Sequence, residues 1–257
     1  MKILIIIDET NFYHPKFFLD LYKKLKKRKY TVRVGLVTKI NSKSSIEKYL
    51  LKNLSKLYIR EILLLGLKKL FYMVGNRIFY NFNLFYSVKS VVKKFKINTF
   101  EIQYNINKKI YINKIKKYNP DLIISSCSLY FDTNILKIPI YGCINRHTSL
   151  LPSYAGILPV FHSISDKKKY SGVSIHTMTK NIDRGILLAQ KKIPNIENNL
   201  TKIYKKAFTI SSDLIINAID NLLIKKRIVQ QNYKKNYYSF PNNARWIKFR
   251  KNKGKFI

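Results

Sequence analysis

The chain has 257 residues, enough for one α/β domain or one domain with an appendage, because natural domains mostly fall between about 50 and 250 residues. A hydrophobic fraction of 46%, with 19 Tyr and 15 Phe, excludes a disordered chain, which lacks the apolar surface needed to offset chain entropy. The 50 Lys+Arg against 13 Asp+Glu give a formal net charge of +37, a field that attracts polyanions such as nucleic acid, nucleotide-linked substrates or an acidic lipid surface.

"KILIIID" (2–8) is a continuous Ile-rich run, the pattern of a strand buried on both faces in a parallel sheet. Phe17, Phe18, Leu21, Tyr22 and Leu25 then recur at helical spacing, and "TVRVGLV" (31–37) follows as a second strand. The stretch 57–86 mixes large apolar residues with Arg60, Lys68, Lys69 and Arg77, which predicts at most an amphipathic helix resting on a membrane surface. No run approaches the 18 or so apolar residues of a spanning helix. Val88, Val91, Val92 and Phe95 mark another helix, and "INTFEI" (97–102) a strand. A Pro-Asp turn feeds "NPDLIISS" (119–126), and the alternation continues through 141–145, 172–178 and 186–193. The expectation is a mostly parallel sheet with helices on both faces, over residues 1–193. Residues 194–257 are expected to add a helix from Leu200 to Leu223 and a short basic tail without its own core. Cys127 and Cys143 form no C-x-x-C pair, and the opening "MKILIIIDETNF" meets acidic residues early, so a cytoplasmic location is expected. No metal is expected.

Chemistry concentrates in "GCINRHTSLLPSYAG" (142–156). Alternate side chains of a strand share a face, so Asn145 and His147 point one way and Arg146 the other. The carboxyl ends of parallel strands are where α/β sheets bind ligands. An amide donates to a carbonyl oxygen, and an imidazole donates to an oxyanion or titrates with it, a pairing suited to acyl transfer. Such a site also wants a carboxylate to set the imidazole's charge and accept a proton, and "KNIDRG" (180–185) offers Asp183. Each residue has a structural alternative: Asn145 as a turn former, His176 as a packed mid-strand support, Asp8 and Glu9 as helix caps, Cys127 as small-residue packing. His14 and His162 have no partners at informative spacing and are read as surface or packing residues.

Taken together, "INRHTSLLPSYAGILPVF" and "SGVSIHTMTKNIDRGILLAQ" resemble the 10-formyltetrahydrofolate-dependent formyltransferase family, which includes methionyl-tRNA, glycinamide ribonucleotide and sugar-amine formyltransferases. The family pattern is met in order by Asn145, His147, Ser149, Leu150, Leu151, Pro152, Gly172, Val173, His176, Asp183, Gly185 and Gln190. Arg146, Thr148 and Ala155 depart from it: they stand where an apolar residue, a Pro and an Arg are frequent. The resemblance implies a Rossmann-like catalytic domain, Asn145, His147 and Asp183 as catalytic residues, and 10-formyltetrahydrofolate as co-substrate. It also implies that Ser126, Cys127, Ser128 and Leu129, with Asn181 and Ile182, enclose the pterin.

For the acceptor amine, "DETNFYHP" after the first strand has no glycine where the glycinamide members carry a Gly- and Ser-rich phosphate loop. The tail "YYSFPNNARWIKFRKNKGKFI" resembles the ends of family members that formylate amino sugars, whereas the segment after 193 looks too short and helical for the tRNA-binding barrel of the methionyl-tRNA members. The favoured acceptor is therefore an amino sugar, nucleotide-linked, for glycan biosynthesis. Two alternatives stand beside it: a tRNA-dependent formyltransferase lacking the barrel, and a non-catalytic folate- or nucleic-acid-binding relative. Nucleic-acid contact and homodimerisation stay open, because Lys, Asn, Ile and Tyr all have A/T-rich codons and genomic composition also accounts for much of the lysine.

Overall fold

The structure is a computed structural model that describes all residues except 11, 42–44, 79, 83, 196 and 225–236. The Lys/Tyr/Asn-rich start of the expected tail, 225–236, thus lies outside the described residues. The remainder form a seven-stranded sheet in the order β3-β2-β1-β4-β5-β7-β8. Its strands are β1 (Lys2–Asp8), β2 (Thr31–Lys39), β3 (Thr99–Gln103), β4 (Leu122–Ser126), β5 (Cys143–His147), β7 (Tyr170–Thr177) and β8 (Leu187–Pro194). β1 to β5 run parallel, and β7 is antiparallel to both β5 and β8. A two-stranded ribbon pairs β6 (Ala155–Gly156) with β9 (Tyr237–Tyr238).

Burial explains why β1 reads as uninterrupted apolar sequence. Ile3, Ile5 and Ile7 face one core with α1 (His14–Lys27), α4 (Val88–Lys94) and α8 (Leu200–Leu223), while Leu4 and Ile6 face a second core with α5 (Lys109–Tyr118) and α6 (Thr133–Leu136). Helices therefore cover both faces, as a parallel sheet requires. α8 starts where Asn199 accepts the Lys202 N–H and buries the stripe Ile203, Ala207, Leu214 and Ala218. α7 (Pro159–Ser165) and α9 (Asn243–Lys251) meet through Phe161, stacked on Phe249 with ring centroids 4.2 Å apart. Trp246, Phe249 and Phe256 belong to the same core as α8, so the C-terminal helix extends that core and builds none of its own.

The strand order reverses direction between β1 and β4: β2 and β3 lie to one side, β5 to the other. That is the topological switch point, whose carboxyl edge forms the binding crevice of doubly wound sheets. The Asp8 carboxylate at the end of β1 spans it, accepting the N–H (3.0 Å) and the hydroxyl (2.8 Å) of Ser128 just beyond β4. The remaining helices, α2 (Ile46–Lys52) and α3 (Ile59–Ile78), lie in the connection from β2 to α4.

Candidate active site

β5 carries the Asn-x-His pair to the carboxyl edge, with Ser125 beside Asn145 on β4 and His176 directly opposite it on β7. The face shared by Cys143, Asn145 and His147 lies on the α5/α6 side, because Cys143 packs with Leu4 and Ile6. Arg146 points to the other face, where its guanidinium lies 3.8 Å from the Phe208 ring centroid of α8.

Asp183 joins the pair from the loop between β7 and β8. Its Oδ2 lies 3.6 Å from His147 Nδ1, its Oδ1 lies 3.6 Å from His176 Nε2, and Oδ2 accepts the Gly156 N–H at 2.8 Å. Asn145 Nδ2 donates to His176 Nε2 at 3.3 Å. The His176 Nδ1–H donates to the Thr177 carbonyl at 2.8 Å, so at Nε2 a neutral ring accepts from Asn145 and a protonated ring donates to Asp183 Oδ1. His147 Nε2–H donates to the Tyr154 carbonyl at 3.0 Å, so Nδ1, facing Asp183, is the nitrogen left to take up a proton. The result is one chain, His147, Asp183, His176, Asn145, buried except at its half-buried Asn145 end.

The sequence motif explains how that chain is held. Asp183 adopts a left-handed backbone with φ 55°, and a Cβ on Gly185 would lie 1.6 Å from the Thr177 carbonyl oxygen. The Asp-x-Gly spacing is therefore what lets the loop close against the end of β7 and deliver the carboxylate. Ser174 accepts the Leu151 N–H, donates to the Ser149 carbonyl, and accepts from Gln190, which also donates to the Leu151 carbonyl. These bonds fix the Ser-Leu-Leu-Pro turn directly after His147.

Electrostatics separates the partners. Burial alone would raise the Asp183 carboxyl, but the imidazoles of His147 and His176 and the Gly156 N–H outweigh it and hold it at about 2. Burial pushes the His147 imidazole down, against the pull of Asp183 and the Tyr154 carbonyl. A protonated His147 is thus opposed by its surroundings at rest and is favoured only as further negative charge arrives beside it.

The expected pterin-side residues divide. Ser126 turns its hydroxyl to the opposite face, where it accepts from Arg146 Nε at 3.2 Å, so its side chain does not line the Asn145 side. Ser128 is held by Asp8, and burial pushes the Cys127 thiol up to about 12. Cys127 and Leu129 pack with Met178 on the α5/α6 side, while Asn181 and Ile182 are exposed. The two loops do meet: the Tyr130 hydroxyl donates to the Lys180 carbonyl at 3.4 Å.

Several readings of single residues are refined. Glu9 caps a helix, accepting the Lys89 N–H in the first turn of α4. His14 is half-buried: its Nε2–H donates to the Ser126 carbonyl and its Nδ1 accepts from Thr10. His162 is buried, with Nε2–H donating to the Ser239 carbonyl. His176 is buried and lies between Asn145 and Asp183, the position of a packed, hydrogen-bonded support. Only the antiparallel register with β5 shows which residue it meets.

The chain is similar to known proteins in sequence and in fold. The chain is 32% identical over 137 residues to the methionyl-tRNA formyltransferase of Caldicellulosiruptor saccharolyticus, covering 52% of this chain and 44% of that one. It spans less than half the length of the curated relatives it matches. Among solved structures, a sugar N-formyltransferase from Shewanella sp FDAARGOS_354 superposes with a TM-score of 0.59 at 19% identity, over 93% of this chain and 77% of that one. WlaRD, a sugar 3N-formyl transferase solved with dTDP and 5-N-formyl-THF, superposes with a TM-score of 0.55 at 16% identity, over 93% and 70%. Both show a shared fold. The model of the formyl transferase family matches residues 1–219, and the chain belongs to that family.

Proposed function

We propose that the protein transfers the formyl group of 10-formyltetrahydrofolate to a primary amine, and that the amine belongs to a nucleotide-linked amino sugar. The observation that carries the reading is the convergence of Asn145, His147 and Asp183, linked through His176, at the carboxyl edge of β5. The folate co-substrate supplies an activated formyl carbon on a nitrogen leaving group. The loops at 126–130 and 178–185 hold the pterin, and the acceptor approaches from the β1–α1 turn.

Asn145 keeps one amide N–H beyond the one given to His176, and this donates to the oxygen of the tetrahedral intermediate as its charge develops. The unprotonated amine forms the new C–N bond. Asp183, ionised at neutral pH, takes the proton released from the attacking nitrogen, directly or through His147 Nδ1. Collapse breaks the bond to the folate nitrogen, which receives that proton, so the atoms balance with no further reactant. On the acceptor side, the turn after β1 presents the rings of Phe12 and Tyr13 with Lys68 Nζ 5.5 and 5.7 Å from their centroids. Rings under a cation suit a nucleotide-linked sugar better than a bare phosphate.

A tRNA acceptor is the second reading, favoured by the +37 charge and by the methionyl-tRNA relatives. Incubation with 10-formyltetrahydrofolate and a panel of amino-sugar nucleotides, scored by mass, separates the two. A mass gain of one CO on a sugar nucleotide supports the first. Formylation of methionyl-tRNA with no sugar nucleotide modified supports the second.

A further inference from the structure

α3 is turned apolar side out. Ile59, Leu63, Leu67, Leu70, Val74 and Ile78 recur at steps of three and four residues, which on a helix is one continuous seam, and each is between 47 and 78% exposed. The inward stripe is mixed: Leu65 packs against the core, but polar Glu61, Lys68 and Asn76 are turned in beside it. Glu61 is buried against Arg250 and accepts the Phe256 N–H. Lys68 lies over the rings of Phe12 and Tyr13, and Asn76 donates to Ser87 and accepts the Tyr86 N–H. These bonds fix the rotation of the helix about its axis, so the leucines cannot turn into the core without breaking them. A soluble surface helix has the opposite arrangement, and a contiguous exposed apolar seam marks an interaction surface.

The charge around the seam says which partner fits. Arg60 and Arg77 are exposed at the two ends of α3. α2, tied to α3 through the Lys69–Glu47 ion pair, adds exposed Lys48, Lys52 and Leu51. A second copy of the chain would bring the same +37 to meet its like. An anionic bilayer brings the opposite sign and an apolar layer below it. The 20-residue helix is about 30 Å long, yet Arg60, Glu61, Lys68, Lys69 and Arg77 interrupt it, and no described helix is apolar enough to cross a membrane. Its geometry is that of a helix lying in the interface plane.

We propose that α3 is a membrane-docking helix: its seam from Ile59 to Ile78 inserts among the acyl chains of an anionic bilayer while the flanking Arg and Lys side chains engage the headgroups. This goes beyond the proposed transfer reaction and does not depend on it. Lys68 nevertheless joins the helix to the β1–α1 turn, so docking would set the acceptor edge beside the lipid surface.

The test is flotation of the full chain with vesicles of equal parts phosphatidylcholine and phosphatidylglycerol, and with vesicles of phosphatidylcholine alone. The triple variant Leu63→Gln, Leu67→Gln, Leu70→Gln runs alongside; it keeps good helix formers at exposed positions, and an unchanged melting temperature verifies its fold. The expected result is binding to the anionic vesicles about tenfold or more tighter than to the neutral ones, with a loss of about tenfold or more in the variant. A parent protein that does not float with anionic vesicles overturns the proposal. So does a variant that binds as tightly as the parent, which would leave scattered lysines as the whole cause. A parent that sediments as a dimer without lipid and becomes monomeric in the variant also overturns it, and assigns the seam to a second copy.

Discussion

β5 separates two buried polar clusters that differ in how their charges are met. On the Asn145 face, the Asp183 carboxylate has two imidazoles and a backbone N–H around it, and these hold it at about 2 against burial. On the Arg146 face, burial pushes the Arg146 guanidinium down to about 10 and the His14 imidazole down to about 3. Arg146 there meets the hydroxyls of Ser126 and Thr148 and the faces of Phe17 and Phe208, and the pull of Tyr204 and the Asp8 carboxylate does not outweigh its burial. Burial likewise lifts Asp8, at the neighbouring end of β1, to about 6. The same strand thus presents a compensated charge network on one side and an under-compensated cation on the other. Only the first can hold an ionised base at neutral pH without giving up stability, which is why the chemistry is assigned to it.

The sharpest way to break this comparison is to remove side chains from each face in turn. Asn145→Ala and His147→Ala should each lower kcat by about a hundredfold or more, the usual scale for an oxyanion donor or proton carrier, while folate binding changes little. Arg146→Leu should leave kcat within about tenfold and stability within about 1 kcal/mol, because a cation that burial disfavours more than Asp8 and Tyr204 favour it is replaced by an apolar side chain among Phe rings. Steady-state kinetics on the three variants decides it, and equal losses on both faces would abolish the distinction.

His176→Ala probes the compensated side alone. It strips Asn145 Nδ2 and Asp183 Oδ1 of a shared partner, with an expected destabilisation of about 1–3 kcal/mol and a fall in kcat of roughly tenfold. Chemical denaturation paired with kinetics checks both; full stability would mean that the bridge is idle.

Acid titration of stability follows from the Asp183 shift. The folded value of about 2 lies below the unfolded value of 3.8, so the unfolded chain binds more protons between them. Stability from Asp183 is fully present above about pH 4 and is lost as pH falls towards 2, an amount of about 2 kcal/mol. Comparing denaturation midpoints of the parent and Asp183→Asn from pH 5 to pH 2 should show the gap closing, and a constant gap would refute the assignment.

Asp8 should behave with the opposite sign. Its folded value of about 6 lies above the unfolded 3.8, so its contribution is present at low pH and is lost as pH rises through 6. Asp8→Asn should therefore gain melting temperature on the parent between pH 5 and pH 8. A difference that stays flat across that range would place Asp8 in ordinary solvent.

Much of this was legible in the sequence because buried parallel strands announce themselves. The Ile-rich run of β1 and the apolar segments at 31–37, 119–126 and 172–178 correspond to β1, β2, β4 and β7, and the helix expected from Leu200 to Leu223 is α8. Alternation correctly put Asn145 and His147 on one face and Arg146 on the other. Pairing was not legible. Periodicity marks a strand but not its neighbour, so the Asn145–His176 contact across the antiparallel β5–β7 ladder stayed hidden. The same holds for the ribbon that sets Tyr237–Tyr238 against Ala155–Gly156, two residues long and far apart in sequence. The same alternation sets Ser126 on the face of Ile124, the Arg146 side, away from Asn145. At α3, the mixture of Leu with Arg and Lys signalled a surface helix, while the inward turn of its polar residues depended on distant partners such as Arg250 and Phe12.

The most direct measurement is the turnover of Asp183→Asn on the acceptor identified by mass, with 10-formyltetrahydrofolate saturating and folding verified by the rise in melting temperature with a folate analogue. The carboxylate held at about 2 by His147, His176 and the Gly156 N–H is the group assigned to take the amine's proton. A fall in kcat of about a hundredfold or more, with folate binding retained, is the expected result. Near-normal turnover in the variant would contradict the account and leave Asp183 as a residue that only shapes its loop.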